Sequence, residues 1–235
     1  KKINYPKFLA KNWLGRISKT DLSFDKSDID NFIKIYKKKT DNLDRNLLED
    51  FLKTTEGWVT AIQLLLMTND FEVLKNEDFN FSRNEIFEYF TNEIYENCTA
   101  DEKNLLLILS FPESFNRNII ENVLNIENGY ETLLRLYESN VFISREDETF
   151  RFHELLKKFL NRTASEKFTE IEISSIYKNL GNYFLRNVDW REDYIALNYL
   201  ILGKDYDSLK KWIKLNASDK LLLIHSSGLF NKIEE

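Results

Sequence analysis

One short stretch of the sequence, residues 150–160, combines side chains that can bind a phosphate group. His153 lies between a strand-like pattern and a helical pattern, with Arg151, Lys157 and Lys158 close to it. The first N–H groups of a helix lack helical partners and, together with the helix dipole, favour an anion. An imidazole and cationic side chains at that terminus can donate to phosphate oxygens. This stretch is therefore our first candidate for an anion-binding site.

A purely structural role for His153 is the alternative. A histidine at the exit of a strand and the start of a helix can equally be a satisfied core side chain that ties one element to the other. The sequence alone leaves both hypotheses open.

A β-hairpin and a helix are the elements that must position His153. Residues 141–144 and 149–152 predict two strands, and residues 145–148 predict the polar turn between them. The helix that follows presents Lys157 and Lys158 on the face opposite its apolar side chains. Those apolar side chains are Leu155, Leu156, Phe159 and Leu160.

Helical patterns surround the hairpin. Three short helices precede it, at 101–109, 118–124 and 129–138, with Ser110, Phe111 and Pro112 breaking the first. A wing between such helices and a further helix is typical of a winged helix. The presence of only 6 glycines and 2 prolines favours a mostly helical protein with short connections.

Upstream, residues 12–17 and 21–24 predict short extended pieces with a turn between them, and three helices are predicted to follow. Ser27 and Asp30 form a variant capping box for the first helix, which ends at the lysines 37–39. The second runs near 45–54 and ends at Gly57. The third (58–67) is apolar nearly all round, which predicts burial.

Composition sets broad limits. The 235 residues, 43% of them hydrophobic, are enough for one or two folded domains, and a net charge of −6 argues against broad attraction to nucleic acid. One cysteine, Cys98, excludes an internal disulfide and fits a reducing cytoplasm. Since no apolar run approaches the roughly 20 residues of a membrane span, we expect a cytoplasmic protein. The start at Lys1, without Met, leads us to expect a piece of a longer chain.

Several motifs, in order, resemble one known family. The stretch 21–24, a helix and then Thr55-Glu56-Gly57-Trp58-Val59-Thr60-Ala61-Ile62-Gln63-Leu64 resemble the end of the nucleotide-binding module in large ATP-binding regulators of the LuxR type, the maltose-regulon activator-like branch of the STAND ATPases. Residues 81–98 resemble the family's helix that links the ATPase module to the winged helix, with Ile86, Phe87, Phe90, Ile94 and Tyr95 facing inward. Phe150-Arg151-Phe152-His153-Glu154-Leu155-Leu156 resembles the family's winged-helix motif. Residues 177–184, 196–199, 203–206 and 209–213 are similar to the start of its helical arm.

The resemblance implies a mainly α fold in three parts. Residues 1–76 would be the C-terminal edge of the nucleotide-binding module, a helical remnant of an AAA-type lid. Residues 77–165 would be a winged helix with one short β-hairpin, and residues 166–235 would begin a tetratricopeptide-like helical arm. The arm aromatics are expected to be mainly core; they are Tyr183, Phe184, Trp190, Tyr194, Tyr199 and Tyr206.

The resemblance also implies a nucleotide site in the full-length protein. There, His153 would face the β-phosphate of ADP, with Arg151 as a further cofactor-binding residue close to it, while Gly57 and Trp58 would close the module that binds ATP or ADP with Mg. No cofactor is expected in this segment alone. Val59 stands where many STAND ATPases have a proline, and the alternative for Gly57 and Trp58 is a helix break followed by a core side chain.

Catalytic and DNA-binding patterns are missing from the sequence. It contains no G-x-x-x-x-G-K-[S/T] loop, so we do not expect an enzyme, although the full-length protein would be an ATPase candidate. The helix 129–138 has two carboxylates and one arginine, which disfavours binding to DNA phosphates and with it an independent winged-helix transcription factor. No metal site is expected, and His225 is interpreted as a surface residue.

The predicted function is therefore regulatory. The segment would belong to a bacterial STAND-type transcriptional regulator, with the winged helix holding the ADP-bound resting state and the arm relaying inducer binding. Its partners would be the rest of its own chain, an inducer or regulatory protein at the arm, and further copies in the active state. The alternative is a helical scaffold that binds other proteins without any role for nucleotide.

Overall fold

The computed structural model describes residues 22–37, 49, 52–68, 85–139, 142–186 and 190–215. The chain divides into two compact units, Lys1–Tyr89 and Phe90–Glu235. The predictions for residues 12–17, for most of the helix near 45–54 and for His225 lie outside the described residues. The predicted three-part division at 76/77 and 165/166 stays a prediction.

The first unit contains α1 (Lys26–Lys37), α2 (Val59–Thr68) and α3 (Glu85–Tyr89), and residues 52–55 are helical as well. Helix α1 buries Ile29 and Ile33 one turn apart, as their spacing predicts. Its capping pair is different from the prediction of Ser27 with Asp30. Asp25 Oδ1 accepts from the Asp28 N–H at 2.9 Å, and Asp28 Oδ2 accepts from the Asp25 N–H at 3.1 Å. The cap is thus two residues earlier, because Asp25 precedes the first helical residue.

The predicted extended conformation at residues 21–24 is wrong at Leu22, whose backbone is helical. Phe24 forms a main-chain hydrogen bond that is not part of a described sheet: its N–H donates to the Gly57 carbonyl at 2.9 Å. Its ring lies edge-on to Phe32 at 5.6 Å. A main-chain hydrogen bond and a ring contact therefore hold Phe24 in the first unit.

The second unit contains the hairpin and the remaining helices. In chain order they are the π-helical turn Phe90–Tyr95, α4 (Ala100–Leu109), the π-helical turn Ile119–Val123, α5 (Gly129–Glu138), β1 (Ile143–Glu146), β2 (Thr149–Phe152), α6 (Glu154–Lys167), α7 (Glu170–Phe184), α8 (Trp190–Leu202) and α9 (206–215). The described residues confirm the predicted fold class, mainly α with one short hairpin.

Two helical turns differ from the expected α-helical form. The predicted helix 81–98 becomes π-helical at Phe90, and the bond from the Glu96 N–H to the Thr91 carbonyl, at 2.8 Å, spans five residues. The second winged-helix helix is likewise π-helical. Phe90, Ile94 and Tyr95 are nonetheless buried as predicted, because the wider turn keeps the three side chains on one side.

The hairpin is antiparallel, with Ile143 opposite Phe152 and Glu146 opposite Thr149. The predicted four-residue turn is wrong: β1 begins two residues later than expected, and the turn consists of Asp147 and Glu148 alone. Asp147 has a left-handed φ of 52°, which aspartate tolerates and which a two-residue connection demands.

Three helices, α7, α8 and α9, are defined here as the arm, and α7 packs against α8. Gly181 and Gly203 are the points of closest approach, where an added Cβ would meet Leu200 and Lys178 respectively. Of the arm aromatics, Tyr199 is buried as expected, but Tyr194 and Tyr206 are 47% and 52% exposed, so their assignment to the core is wrong. Both lie on helix faces that the described helices leave uncovered.

Candidate functional site

His153 is the N-cap of α6. Strand β2 delivers it with extended backbone (φ −59°, ψ 139°), and its Nδ1 accepts from the Leu155 main-chain N–H at 3.3 Å. The imidazole thus does what Ser, Thr, Asp or Asn usually does at this position, satisfying one of the unpaired donors of the helix end. Since Nδ1 is the acceptor, the proton of the neutral ring belongs on Nε2, which is a donor.

The His153 ring lies inside the second unit's core. It is 2% exposed and packs edge-on to Phe142, with 6.0 Å between the ring centroids. Its main-chain N–H donates to the Phe142 carbonyl at 2.9 Å, which closes the base of the hairpin. The structure therefore shows the alternative role, a core histidine tying the wing to its helix; contact of Nε2 with a phosphate stays a prediction.

Two lysines near His153, Lys157 and Lys158, lie close to carboxylates. Lys157, expected on an open face, is only 13% exposed at its side chain, and its Nζ lies 2.7 Å from Glu113 Oε1. Lys158 Nζ lies 3.9 Å from Glu154 Oε1. Each lysine thus has a carboxylate neighbour, four positions away for Lys158 and more than forty for Lys157, and contact of either lysine with phosphate stays a prediction. Arg151 is exposed on β2.

Gly57 and Trp58 lie in the first unit and terminate a helical turn. Gly57 has a φ of +75°, and a Cβ there would come within 2.4 Å of the Phe24 carbonyl oxygen, so only glycine fits. The Trp58 N–H donates to the Thr55 carbonyl at 2.8 Å, and its ring packs 5.5 Å from that of Tyr89. This is the predicted alternative, a helix break followed by a packed aromatic; a role in nucleotide binding stays a prediction.

The helix that would enter a DNA groove, α5, presents an acidic surface. Arg117 donates to both Glu121 and Glu131 and lies 4.1 Å over the Tyr130 ring. The hydrogen bond from Arg117 lowers the pKa of Glu131 and raises that of Arg117 itself. A depression of about 490 Å³ beside them is lined by three glutamates and this one arginine. Its charge would repel phosphates.

Sequence reasoning missed one group, a tyrosine that connects the arm to the winged helix. The Tyr199 hydroxyl accepts from the Glu113 main-chain N–H at 3.0 Å, and burial raises the pKa of Tyr199 to about 12. The two residues are 86 positions apart, so no local pattern could have paired them. The available signal is the break at Ser110-Phe111-Pro112, which by itself predicts only the end of a helix.

A family model matches the central part of the chain. Residues 91–171 match the model of the MalT winged helix domain. These residues are therefore similar to that domain and are called the MalT-type winged helix below. They include the π-helical turn from its second residue onward, the hairpin, the His153 junction and α6 described above.

The MalT-type winged helix also fits the structural comparison. The chain superposes, with a TM-score of 0.51 and 18% identity, on a signal transduction ATPase with numerous domains (STAND) that has a tetratricopeptide repeat sensor, from Pyrococcus horikoshii. The match covers 86% of this chain and 28% of that protein. No curated protein matches the chain. The two matches confirm the predicted resemblance to MalT-like STAND proteins.

The described residues contain neither a helix that could span a membrane nor a cluster of metal ligands. No helix there is long and apolar enough to cross a membrane. Among the same residues, no group of three or more His, Cys, Asp or Glu side chains is arranged to bind a metal ion.

Proposed function

We propose that this chain is the regulatory part of a bacterial STAND-type transcriptional regulator, in which the MalT-type winged helix holds the ADP-bound resting state. The observation that supports this most directly is the His153 junction within the matched domain: Nδ1 accepts from the Leu155 N–H, which orients the ring and places the proton of the neutral imidazole on Nε2. Such a preoriented donor loses little entropy when it meets an acceptor.

The nucleotide, ATP or ADP with Mg, would be bound mainly by a module outside this chain and would supply the energy difference between the resting and active states. From this chain, His153 Nε2 and the Arg151 guanidinium are the groups whose chemistry fits a phosphate. Lys157 fits less well, since Glu113 already neutralises it. The latch works only if ADP prefers the closed arrangement, because a ligand with equal affinity for both states shifts nothing.

Partners and location follow the same proposal. In the cytoplasm, the winged helix would contact the nucleotide-binding module of its own chain, an inducer or regulatory protein would bind along the arm, and active copies would oligomerise. The role of this chain is regulatory rather than catalytic. DNA binding would belong to another domain, in keeping with the acidic surface around α5.

The test separates the capping role of His153 from phosphate binding. In the full-length protein, His153→Asn keeps a good N-cap but lacks Nε2, whereas His153→Ala removes both. If His153 contacts phosphate, both variants release ADP faster and show higher basal activity. Both lose the packing of the buried ring, and the alanine variant loses about 1 kcal/mol more stability than the asparagine variant, because it also lacks the cap. ADP release as slow in His153→Asn as in the wild type would contradict the proposal.

The second candidate is a helical scaffold that binds proteins without nucleotide. Two observations favour it: the His153 ring is 2% exposed and already used as a cap, and the arm exposes large apolar side chains. These side chains are Ile171, Tyr194, Ile195, Leu202, Tyr206 and Leu215. A His153→Asn variant with unchanged ADP release, together with loss of partner binding on Leu202→Glu, would select the scaffold.

A further inference from the structure

The short segment 110–115, between α4 and the second π-helical turn, contacts three different parts of the second unit. Its first contact is with the wing. The Phe115 N–H donates to the Phe150 carbonyl at 2.9 Å, and the Phe150 N–H donates back to the Phe115 carbonyl at 2.8 Å. The Phe115 ring also packs 4.9 Å from that of Phe152. The segment therefore both donates a hydrogen bond to β2 and accepts one from it, and β2 ends directly before His153.

Its second contact is with α6, the helix that His153 caps. The Asn161 side-chain amide donates to the Ser110 carbonyl at 3.0 Å, and Lys157 pairs with Glu113 at 2.7 Å. The ion pair is open to solvent on the glutamate side and contributes little by itself. The hydrogen bond from Asn161 to the Ser110 carbonyl contributes more, because it satisfies a main-chain acceptor of a buried residue.

Its third contact is with the arm. The Glu113 N–H donates to the Tyr199 hydroxyl at 3.0 Å, so a main-chain donor of the segment depends on a side chain of α8. The Phe111 ring lies edge-on to Tyr177 at 5.3 Å, and Tyr177 stacks on Tyr199 at 5.9 Å. Moving α8 away would leave the Glu113 N–H without this acceptor, which costs free energy at a partly buried position.

We propose that the segment 110–115 is the coupling element between the arm and the His153 junction, with Glu113 and Phe111 as positioning residues. A displacement of α8 would draw the segment with it, and Phe115 would transmit the movement to Phe150, three residues before His153. The inference rests on the proposed function for its consequence, faster nucleotide release, but the coupling itself is a property of this chain.

The test is amide hydrogen exchange in the full-length protein carrying Tyr199→Phe, which removes the acceptor hydroxyl and keeps the aromatic stack. Coupling predicts faster exchange at the Phe150 and Leu155 amides as well as at Glu113, by roughly threefold to tenfold, the equivalent of one neutral hydrogen bond. Tyr194→Phe, the same change at an exposed tyrosine of α8, is the matched control and should leave these amides unchanged. Faster exchange confined to Glu113 and the arm would overturn the proposal.

A second variant guards against a merely local effect. Phe111→Leu keeps an apolar side chain but loses the aromatic edge against Tyr177, and coupling predicts the same pattern at Phe150 and Leu155. ADP release measured on the same proteins separates the two proposals. Faster exchange at Phe150 and Leu155 with a normal rate of ADP release would support the coupling and contradict the latch. Unchanged exchange at these two amides would contradict the coupling at any rate of ADP release.

Discussion

The main chain of Gly181 on α7 lies directly against Leu200 on α8. A Cβ at Gly181 would lie 2.7 Å from Leu200 Cδ2 and 3.1 Å from the Leu200 main-chain nitrogen. Gly181→Ala is therefore expected to lower the free energy of unfolding by about 1–3 kcal/mol through overpacking, even though alanine is the better helix former. Urea denaturation measures the effect. Ser175→Ala, at an exposed position of α7, is the control and should be neutral or slightly stabilising.

The capping box of α7 predicts a dependence of stability on pH. The Thr169 N–H donates to Glu172 at 2.8 Å, and this bond is the main cause of the lowered pKa of Glu172. A carboxyl with a pKa that is lower in the folded state adds stability above its unfolded pKa and loses it as the pH falls through the folded value. The Glu172→Gln variant should therefore be less stable than the wild type near neutral pH. Its stability should also fall less steeply below pH 4.5, the ordinary pKa of a glutamate.

Thermal unfolding between pH 7 and pH 3 checks this prediction. Glu170→Gln changes a carboxyl of the same turn whose recorded partner is Lys204, at 3.5 Å across the arm. That control should leave the pH profile nearly parallel to that of the wild type. A Glu172→Gln profile parallel to the wild type would show that the cap does not titrate as described.

The acidic surface around α5 predicts that the chain does not bind duplex DNA tightly. Glu131 and Glu121 surround Arg117, and their carboxylates oppose the phosphates that a groove-binding helix must approach. Fluorescence anisotropy with a labelled duplex at low and moderate salt should show no saturable binding. Affinity that falls steeply with salt would contradict this, because such a slope reports phosphate contacts.

Phe150 is the most constrained side chain of the wing. It is fully buried, and the rings of Tyr130 and Tyr137 pack edge-on to it at 6.0 and 5.6 Å. Phe150→Ala should cost about 3–5 kcal/mol of unfolding free energy, through lost transfer energy and the cavity left behind. Thr149→Ala, at the exposed neighbouring position, should cost far less in the same chemical denaturation experiment.

Local patterns predicted the elements around His153 well. The spacing of Leu155, Leu156, Phe159 and Leu160 placed all four in the core, and the alternation in β2 placed Phe150 and Phe152 there. These predictions succeed because burial of one face follows directly from the periodicity of the element. The N-cap position of His153 also follows from the order strand, residue, helix.

Contacts between distant residues could not be predicted in this way. Tertiary packing sets three of these contacts: Glu113 pairs with Lys157, Phe115 bridges to Phe150, and the Tyr199 hydroxyl accepts from the Glu113 N–H. Lys157 was expected to be open because its helix face is polar, but Glu113 comes from a loop with no periodicity of its own. The π-helical turns were missed for a related reason: α and π turns differ by one residue, which apolar spacing over five or six residues does not distinguish.

The outer strand of the hairpin has a further consequence for the behaviour of the chain in solution. Among the described strands, β1 has β2 as its neighbour, and the isolated bridge to Phe115 lies on β2, so one edge of β1 faces away from the sheet. That edge is only four residues long and includes exposed Arg145 and Glu146. Short, charged edges resist intermolecular strand pairing. The wing can therefore protrude from the domain without acting as a template for aggregation.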